Sequence, residues 1–198
     1  GAKHPKWTGQ CNDCGIWNSL SETKIVHSAK SIHDVDQADS VPIDLSSIQV
    51  AQIARMSTGS SEFDRVLGGG FVEGAVTLLG GEPGIGKSTL ALQCAGSLSV
   101  ADSVLYTTGE ESLQQLALRA SRTKIESSNI KFRATAEIET VLHVAKSTGA
   151  KFVVSDSIQT LFSAEHESAP GSVSQVRAWA ERLVRFARST STAILMIG

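Results

Sequence analysis

Gly81-Glu82-Pro83-Gly84-Ile85-Gly86-Lys87-Ser88-Thr89 is the stretch whose residue types and spacing carry the most specific chemistry. Gly81, Gly86, Lys87 and Ser88 fit the pattern G-x-x-x-x-G-K-[ST]. Glycines let successive backbone N–H groups curl inward, and a helix that starts at the lysine adds the partial positive charge of its N-terminus. A loop of this kind holds a polyphosphate such as that of ATP. Lys87 would reach the β- and γ-phosphates, and the Ser88 hydroxyl would ligate Mg²⁺. The bland alternative is a strand–turn–helix joint with incidental glycines. Against it, the motif directly follows an apolar strand-like run and directly precedes a helix-like one.

Phosphoryl chemistry also needs a carboxylate for the metal and one for water. Lys151-Phe152-Val153-Val154-Ser155-Asp156 is an apolar run ending in a carboxylate, the form expected of a Walker-B aspartate. Glu110 and Glu111 follow another strand-like run, Ser103–Thr107, through Gly109. Glu110 is the candidate to orient and activate the attacking water. Glu111 reads instead as an N-terminal helix residue favoured by the helix dipole. Cys11 and Cys14 form one C-x-x-C pair, half of a tetrahedral zinc site, and His4 is a weak third ligand. Cys94, among Leu90, Ala91, Leu92 and Ala95, reads as a buried structural thiol, and His143 as an ordinary helix residue.

The elements that must position these residues are legible in the patterning. Strand-like runs fall at Ala75–Leu79, Ser103–Thr107, Ile130–Ala134, Lys151–Ser155 and Thr192–Ile197. Helix-like segments at Ser88–Leu98, Ser112–Ser121 and Ile138–Lys146 lie between them. Alternation of this kind predicts an α/β fold with a mostly parallel central sheet covered on both faces. Residues 1–23 are small and turn-rich, residues 24–56 have linker composition with short structure near Ile48 to Ile53, and residues 57–198 form the core.

A chain of 198 residues, 41% hydrophobic and 19% charged, fits one globular domain plus a smaller piece. No apolar run reaches the ~18 residues of a membrane span, and the N-terminus has no signal-peptide core. Three cysteines make no disulfide framework, so a reducing cytoplasm is expected. A net charge of -2 gives no global attraction to nucleic acid, so any such contact rests on a local patch.

Neither a guanine-reading N-K-x-D nor a transporter-type L-S-G-G-Q signature is present. Ser57-Thr58-Gly59-Ser60-Ser61-Glu62-Phe63-Asp64-Arg65-Val66-Leu67-Gly68-Gly69-Gly70 resembles the lead-in of RecA-like P-loop ATPases. Within that group, Gly80 to Leu90, Tyr106 to Ser112, Asp156 to Thr160, Ser168 to Arg177 and Trp7 to Gly15 look like the bacterial RadA (Sms) DNA-repair ATPase family. The resemblance covers nearly the whole chain, with the linker its least diagnostic part. It implies a cytoplasmic DNA-dependent ATPase of recombinational repair that binds single-stranded and branched DNA. Such proteins work as homo-hexamers, like ring helicases, and drive branch migration beside a RecA-type recombinase. The family pattern would put a second C-x-x-C pair before Gly1, completing a Zn²⁺ ribbon. It would also put a K-N-R-F-G motif and a Lon-protease-like domain after Gly198. On that reading the sequence is a fragment of low turnover, and residues 1–23 are a truncated zinc finger.

In RecA-like proteins the segment corresponding to Ser163–Ser172 faces a central channel, so DNA contact there is inherited from the resemblance, although Glu165 and Glu167 would repel phosphate. The next helix offers Arg177, Arg182, Arg185 and Arg188 opposite Val173, Val176, Ala180, Leu183 and Ala187. A solvated basic face or subunit contact is the preferred reading there, with Trp179 in a core or interface. Two competing functions are a RecA-like regulatory ATPase acting on protein, of the circadian-clock type, and a DNA-binding module with nucleotide as a structural ligand.

Overall fold

The computed structural model of the chain describes Gln10, Ile16, Trp17, Asp44 and residues 54–125, 129–163 and 172–198. It divides into two compact units, Gly1–Val50 and Ala51–Gly198. In the first, Gln10 and Trp17 form an isolated antiparallel bridge. Cys11, Cys14, His4, the short structure near Ile48 to Ile53 and most of Ser163–Ser172 lie outside the described residues.

The second unit is built on a five-stranded parallel sheet. Its strands are β3 (Val76–Leu79), β4 (Val104–Thr108), β5 (Ile130–Ala134), β6 (Phe152–Asp156) and β7 (Ala193–Ile197). Their spatial order is β3-β7-β6-β4-β5, and every neighbouring pair is parallel. β4, β6 and β7 are buried along their whole length, as expected of near-continuous apolar runs inside a covered sheet.

Four helices cover the two faces. α2 (Lys87–Leu98) and α3 (Leu113–Arg122) carry the chain from β3 to β4 and from β4 to β5. α4 (Ile138–Thr148) and α5 (Val173–Thr190) return it to β6 and then to β7. Right-handed crossovers that move in opposite directions across a sheet fall on opposite faces. The core divides accordingly. Ala91, Leu92, Ala95, Leu98 and Leu116 of α2 and α3 pack with Val104, Tyr106, Phe152 and Val154. Ile138, Val141, Trp179, Leu183 and Ala187 of α4 and α5 pack with Leu105, Val153 and Ile194.

A hairpin-like lead-in precedes β3. Arg55–Met56 (β1), at the end of the stretch with linker composition, pairs antiparallel with Phe71–Val72 (β2) around α1 (Ser61–Leu67). Asp64 holds the turn by accepting from Ser57 Oγ (2.7 Å) and Thr58 N (2.8 Å). Those hydrogen bonds, Ser57 first, hold its carboxyl below the ordinary range. Phe71 is buried and stacks between Phe63 (5.8 Å, edge-on) and Phe152 (4.8 Å, tilted), which ties the lead-in to the sheet. The spacing around Asp64 and Leu67 in that motif is therefore satisfied by packing.

Two readings of α5 need correction. Helical spacing puts Val173 on the apolar side, yet it is 86% exposed. The buried row is Gln175, Trp179, Leu183 and Ala187, with Val176 and Ala180 packed beside it, so the expected side does meet the core but its first turn does not. Arg182 does not join Arg185 and Arg188 on an open basic face. It pairs with Glu139 of α4 (2.5 Å) and lies 5.7 Å from the Trp179 ring centroid. Cys94 is buried, with its thiol pushed up to about 12 by burial and then by Asp64. His143 is an exposed residue of α4.

Candidate functional site

All five strands point their carboxyl ends to one edge, and the expected site residues sit along it. The loop Gly81–Gly86 leaves β3 there and runs, exposed, into α2 at Lys87. Gly84 and Gly86 have φ of +80° and +105°, which an L side chain rarely adopts, and a Cβ at either would meet nothing within 4 Å. Glycine is demanded there by backbone conformation and not by crowding. Among the described residues no acceptor takes the N–H groups of Gly84, Gly86, Lys87, Ser88 or Thr89. The first-turn donors of a helix lack intrahelical partners by construction. Lys87 Nζ curls back across the loop, donating to the carbonyls of Gly81 (2.7 Å) and Glu82 (2.9 Å). Pro83 and Ile85 form the exposed tip.

Asp156 is the last residue of β6, the strand-end position expected of it. It stands in register with Thr108, the last residue of β4. β6 ends on the carboxylate as its pattern implies, while β4 runs one residue further toward the carboxyl edge than Ser103–Thr107. The residue is 9% exposed, and its carboxylate Oδ2 accepts from the Tyr106 hydroxyl at 2.8 Å. That hydroxyl also lies 3.4 Å from the Ser88 carbonyl in the first turn of α2. Burial, then the Asp156 carboxylate, pushes the Tyr106 phenol far up, so it is a neutral donor.

Glu110 follows β4 through Gly109, whose N–H donates to the Asp156 carbonyl (2.9 Å). A Cβ on Gly109 would collide with Thr160 and press on Ala136, so only glycine lets this turn approach the 3₁₀ turn Ile158–Thr160. Glu110 is exposed, and its Oε1 accepts from Ser157 Oγ at 2.6 Å. The peptide between Asp156 and Ser157 is cis. Glu111 precedes the cap of α3 and is engaged by Arg119, while Ser112 and Gln115 form a capping box. Among the described residues Arg119 Nη1 is buried without a partner.

The structure thus brings Lys87, Ser88, Asp156 and Glu110 to one edge, and adds residues that patterning did not single out. Tyr106, Ser157 and Arg119 reach the site from 47 to 50 positions away or across a turn, separations that no local spacing reveals. The nearest sequence signal is that the chain has one tyrosine and places it inside a strand that is buried along its whole length.

The donor set suits ATP with Mg²⁺. Loop N–H groups and Lys87 offer donors to an anion, and Ser88 and Asp156 offer oxygen to a hard cation. Magnesium commonly takes one or two protein carboxylates and completes its shell with water and substrate oxygens. No cluster of three or more His, Cys, Asp or Glu able to hold a metal occurs among the described residues. A concavity of about 530 Å³ lies elsewhere, lined by Thr58, Gln93, Cys94, Ser97, Lys124 and Ile125, and contributes none of these groups.

A parallel sheet with a glycine loop between its edge strand and a helix, and acidic residues at the ends of two adjacent strands, defines a RecA-like P-loop core. Residues 45–198 match the AAA domain family, and the chain belongs to it. It is also RadA-like over its full length. It is 46% identical to the DNA repair protein RadA of Pseudomonas aeruginosa, across all of this chain and 44% of that protein. Identity to the DNA repair protein RadA of Escherichia coli K12 is 43%, across all of this chain and 45% of the relative. For that of Bacillus subtilis 168 it is 41%, across all of this chain and 44% of the relative. The chain therefore spans less than half the length of the relatives it matches. Among the described residues no helix is long and apolar enough to cross a membrane.

Proposed function

We propose that this chain is the ATP-hydrolysing core of a DNA-repair ATPase, a DNA-dependent hydrolase that acts on single-stranded or branched DNA and promotes branch migration. The observation that carries the reading is the meeting, at one sheet edge, of an acceptor-poor glycine loop, Asp156 and Glu110. The DNA part rests on the RadA relatives, whose printed names describe DNA repair.

Gly81, Glu82, Pro83, Gly84, Ile85, Gly86, Lys87, Ser88 and Thr89 hold the polyphosphate through backbone N–H groups and the Lys87 ammonium. Bound Mg-ATP supplies the phosphoryl group and a cation that spreads its negative charge. Ser88 and Asp156 hold that cation. Glu110, steadied by Ser157, orients the water and accepts its proton. To release the Gly81 and Glu82 carbonyls, Lys87 swings outward by rotating its own side chain. The same reading includes a homo-hexamer, a RecA-type recombinase as partner, a cytoplasmic location, and Zn²⁺ on Cys11 and Cys14 with further ligands.

The decisive experiment is Mg²⁺-dependent ATP hydrolysis with and without single-stranded DNA, beside Lys87→Ala. The expected result is DNA-stimulated turnover that falls by roughly 10²–10³-fold or more in the variant. Turnover indifferent to DNA would keep the site and move the function to a protein-directed ATPase. Nucleotide binding with no turnover under any condition would point to a nucleotide-gated binding module.

A further inference from the structure

We propose that Tyr106 is a positioning residue for the divalent cation: its hydroxyl takes Oδ2 of Asp156 and fixes the carboxylate against the first turn of α2, reserving Oδ1 for the metal. The proposal rests on the reading of Asp156 as a cation ligand.

A fully buried phenol must find a hydrogen-bond acceptor, since leaving its hydroxyl unpaired in an apolar core is costly. Any carbonyl would meet that need. Here the two acceptors belong to the two residues assigned to the cation, Asp156 Oδ2 at 2.8 Å and the Ser88 carbonyl at 3.4 Å. No other donor reaches the Asp156 carboxylate among the described residues, so the phenol alone sets its rotation. The arrangement is built by the sheet. Tyr106 pairs with Val154 and Thr108 with Asp156 in the β4–β6 ladder, so Tyr106 and Asp156 are diagonal neighbours on one face. The Tyr106 ring is held in turn by core packing and by Phe132, whose centroid is 5.9 Å away.

The choice of a phenol also makes chemical sense. A lysine or arginine in this place would neutralise the carboxylate and compete with the metal for it. A neutral hydroxyl orients the group and leaves its charge intact. Groups that hold a metal ligand from behind commonly matter 10–100-fold for metal affinity when removed.

The test uses Tyr106→Phe, which keeps the ring and its packing. Binding of a fluorescent ATP analogue is titrated with Mg²⁺, and again in EDTA, for wild type, Tyr106→Phe and Asp156→Asn. Tyr106→Phe should raise the half-saturating Mg²⁺ concentration about tenfold and leave metal-free analogue affinity unchanged. A purely structural role would lower the melting temperature and leave the Mg²⁺ titration in place, which overturns the proposal. So does a wild-type titration in Tyr106→Phe while Asp156→Asn has lost its Mg²⁺ response. If Asp156→Asn also titrates like wild type, the assignment of Asp156 itself falls, and this proposal with it.

A second measurement needs no stable variant at position 106. The sequence has one tyrosine, so biosynthetic 3-fluorotyrosine places a single ¹⁹F reporter on Tyr106. Its resonance should move when Mg²⁺ is added to the nucleotide-bound protein, and this movement should vanish in Asp156→Asn. A wild-type resonance that ignores Mg²⁺ overturns the proposal.

Discussion

Asp156 and Ser155 are consecutive residues at the end of β6, and strand geometry turns them to opposite faces of the sheet. On the α2 and α3 face, Asp156 meets Tyr106, near the engaged pair Glu111 and Arg119. On the α4 and α5 face, polar groups close on one another. Thr107 Oγ1 donates to the Val154 carbonyl (2.9 Å) and Trp179 Nε1 to the Leu161 carbonyl (3.0 Å). Glu139 Oε1 accepts from Ser163 Oγ (2.7 Å) and Arg182 (2.5 Å). Both faces leave some atoms unpaired. Among the described residues those of the second face, Ser155 Oγ and Glu139 Oε2, are sealed inside the protein; the first face has one such atom, Arg119 Nη1, and in addition the loop N–H groups, which lie at an open rim. Unused hydrogen-bonding capacity can serve a ligand only where a ligand can arrive. The first face is therefore read as the working one and the second as its support.

Glu110→Gln is the variant that should separate the faces most widely. Turnover should fall by roughly 10²–10⁴-fold, while analogue binding and melting temperature stay near wild type. Hydrolysis at the wild-type rate would remove Glu110 as the water-activating group. Trp179→Ala is its counterpart on the supporting face. Truncating this fully buried ring should cost about 3–5 kcal/mol of stability in denaturant unfolding. Below the transition, the folded protein should still bind nucleotide with unchanged affinity. Weakened binding in fully folded Trp179→Ala protein would mean that the division between the faces is drawn wrongly.

Gly109→Ala tests the joint between them. The new methyl would collide with Thr160 and press on Ala136, so overpacking should cost about 1–3 kcal/mol. The same displacement should move Glu110 off Ser157 and reduce turnover. A loss of stability with normal turnover would show that Glu110 works without the precise turn it occupies.

How far these two faces could be read in the sequence follows from the range of each interaction. The glycine loop is one contiguous stretch whose conformation is set by its own glycines, so its pattern is legible. β3 and β5 are only partly buried, β5 alternating apolar with charged residues, whereas β4, β6 and β7 are legible as short runs of the fully buried type. Tyr106–Asp156 and Ser157–Glu110 are not, because both depend on β6 lying beside β4, although β5 follows β4 in the chain. Arg182 shows the same limit. Helical spacing groups it with Arg185 and Arg188, but α4 supplies Glu139, 43 positions earlier, and draws it away. Val173 shows another limit: periodicity gives the stripe on a helix but not which of its turns meets the core. The Asp64 turn had a visible motif, and only the contacts show that it serves packing.

The smallest effect belongs to Glu139, and its sign can be fixed in advance. Burial alone would raise its carboxyl, but hydrogen bonds from Ser163 and Arg182 outweigh burial and hold it below the reference value of 4.5. A carboxyl lowered in the folded state binds fewer protons there than in the unfolded chain, so stability rises with pH through this window. The contribution is fully present above about 4.5, the unfolded value, and is lost as pH falls through the lower folded one. Its size is limited, because the Arg182 and Glu139 side chains are 29% and 32% exposed and solvent screens them. We expect Glu139→Gln to cost at most about 1 kcal/mol at pH 7. The gap to wild type should narrow as pH falls below 4.5 and nucleotide affinity should not change. A gap that stays constant from pH 7 to pH 3 would mean that the Glu139 charge contributes nothing. If nucleotide affinity changed as well, the α4–α5 clasp would belong to the working face rather than to its support.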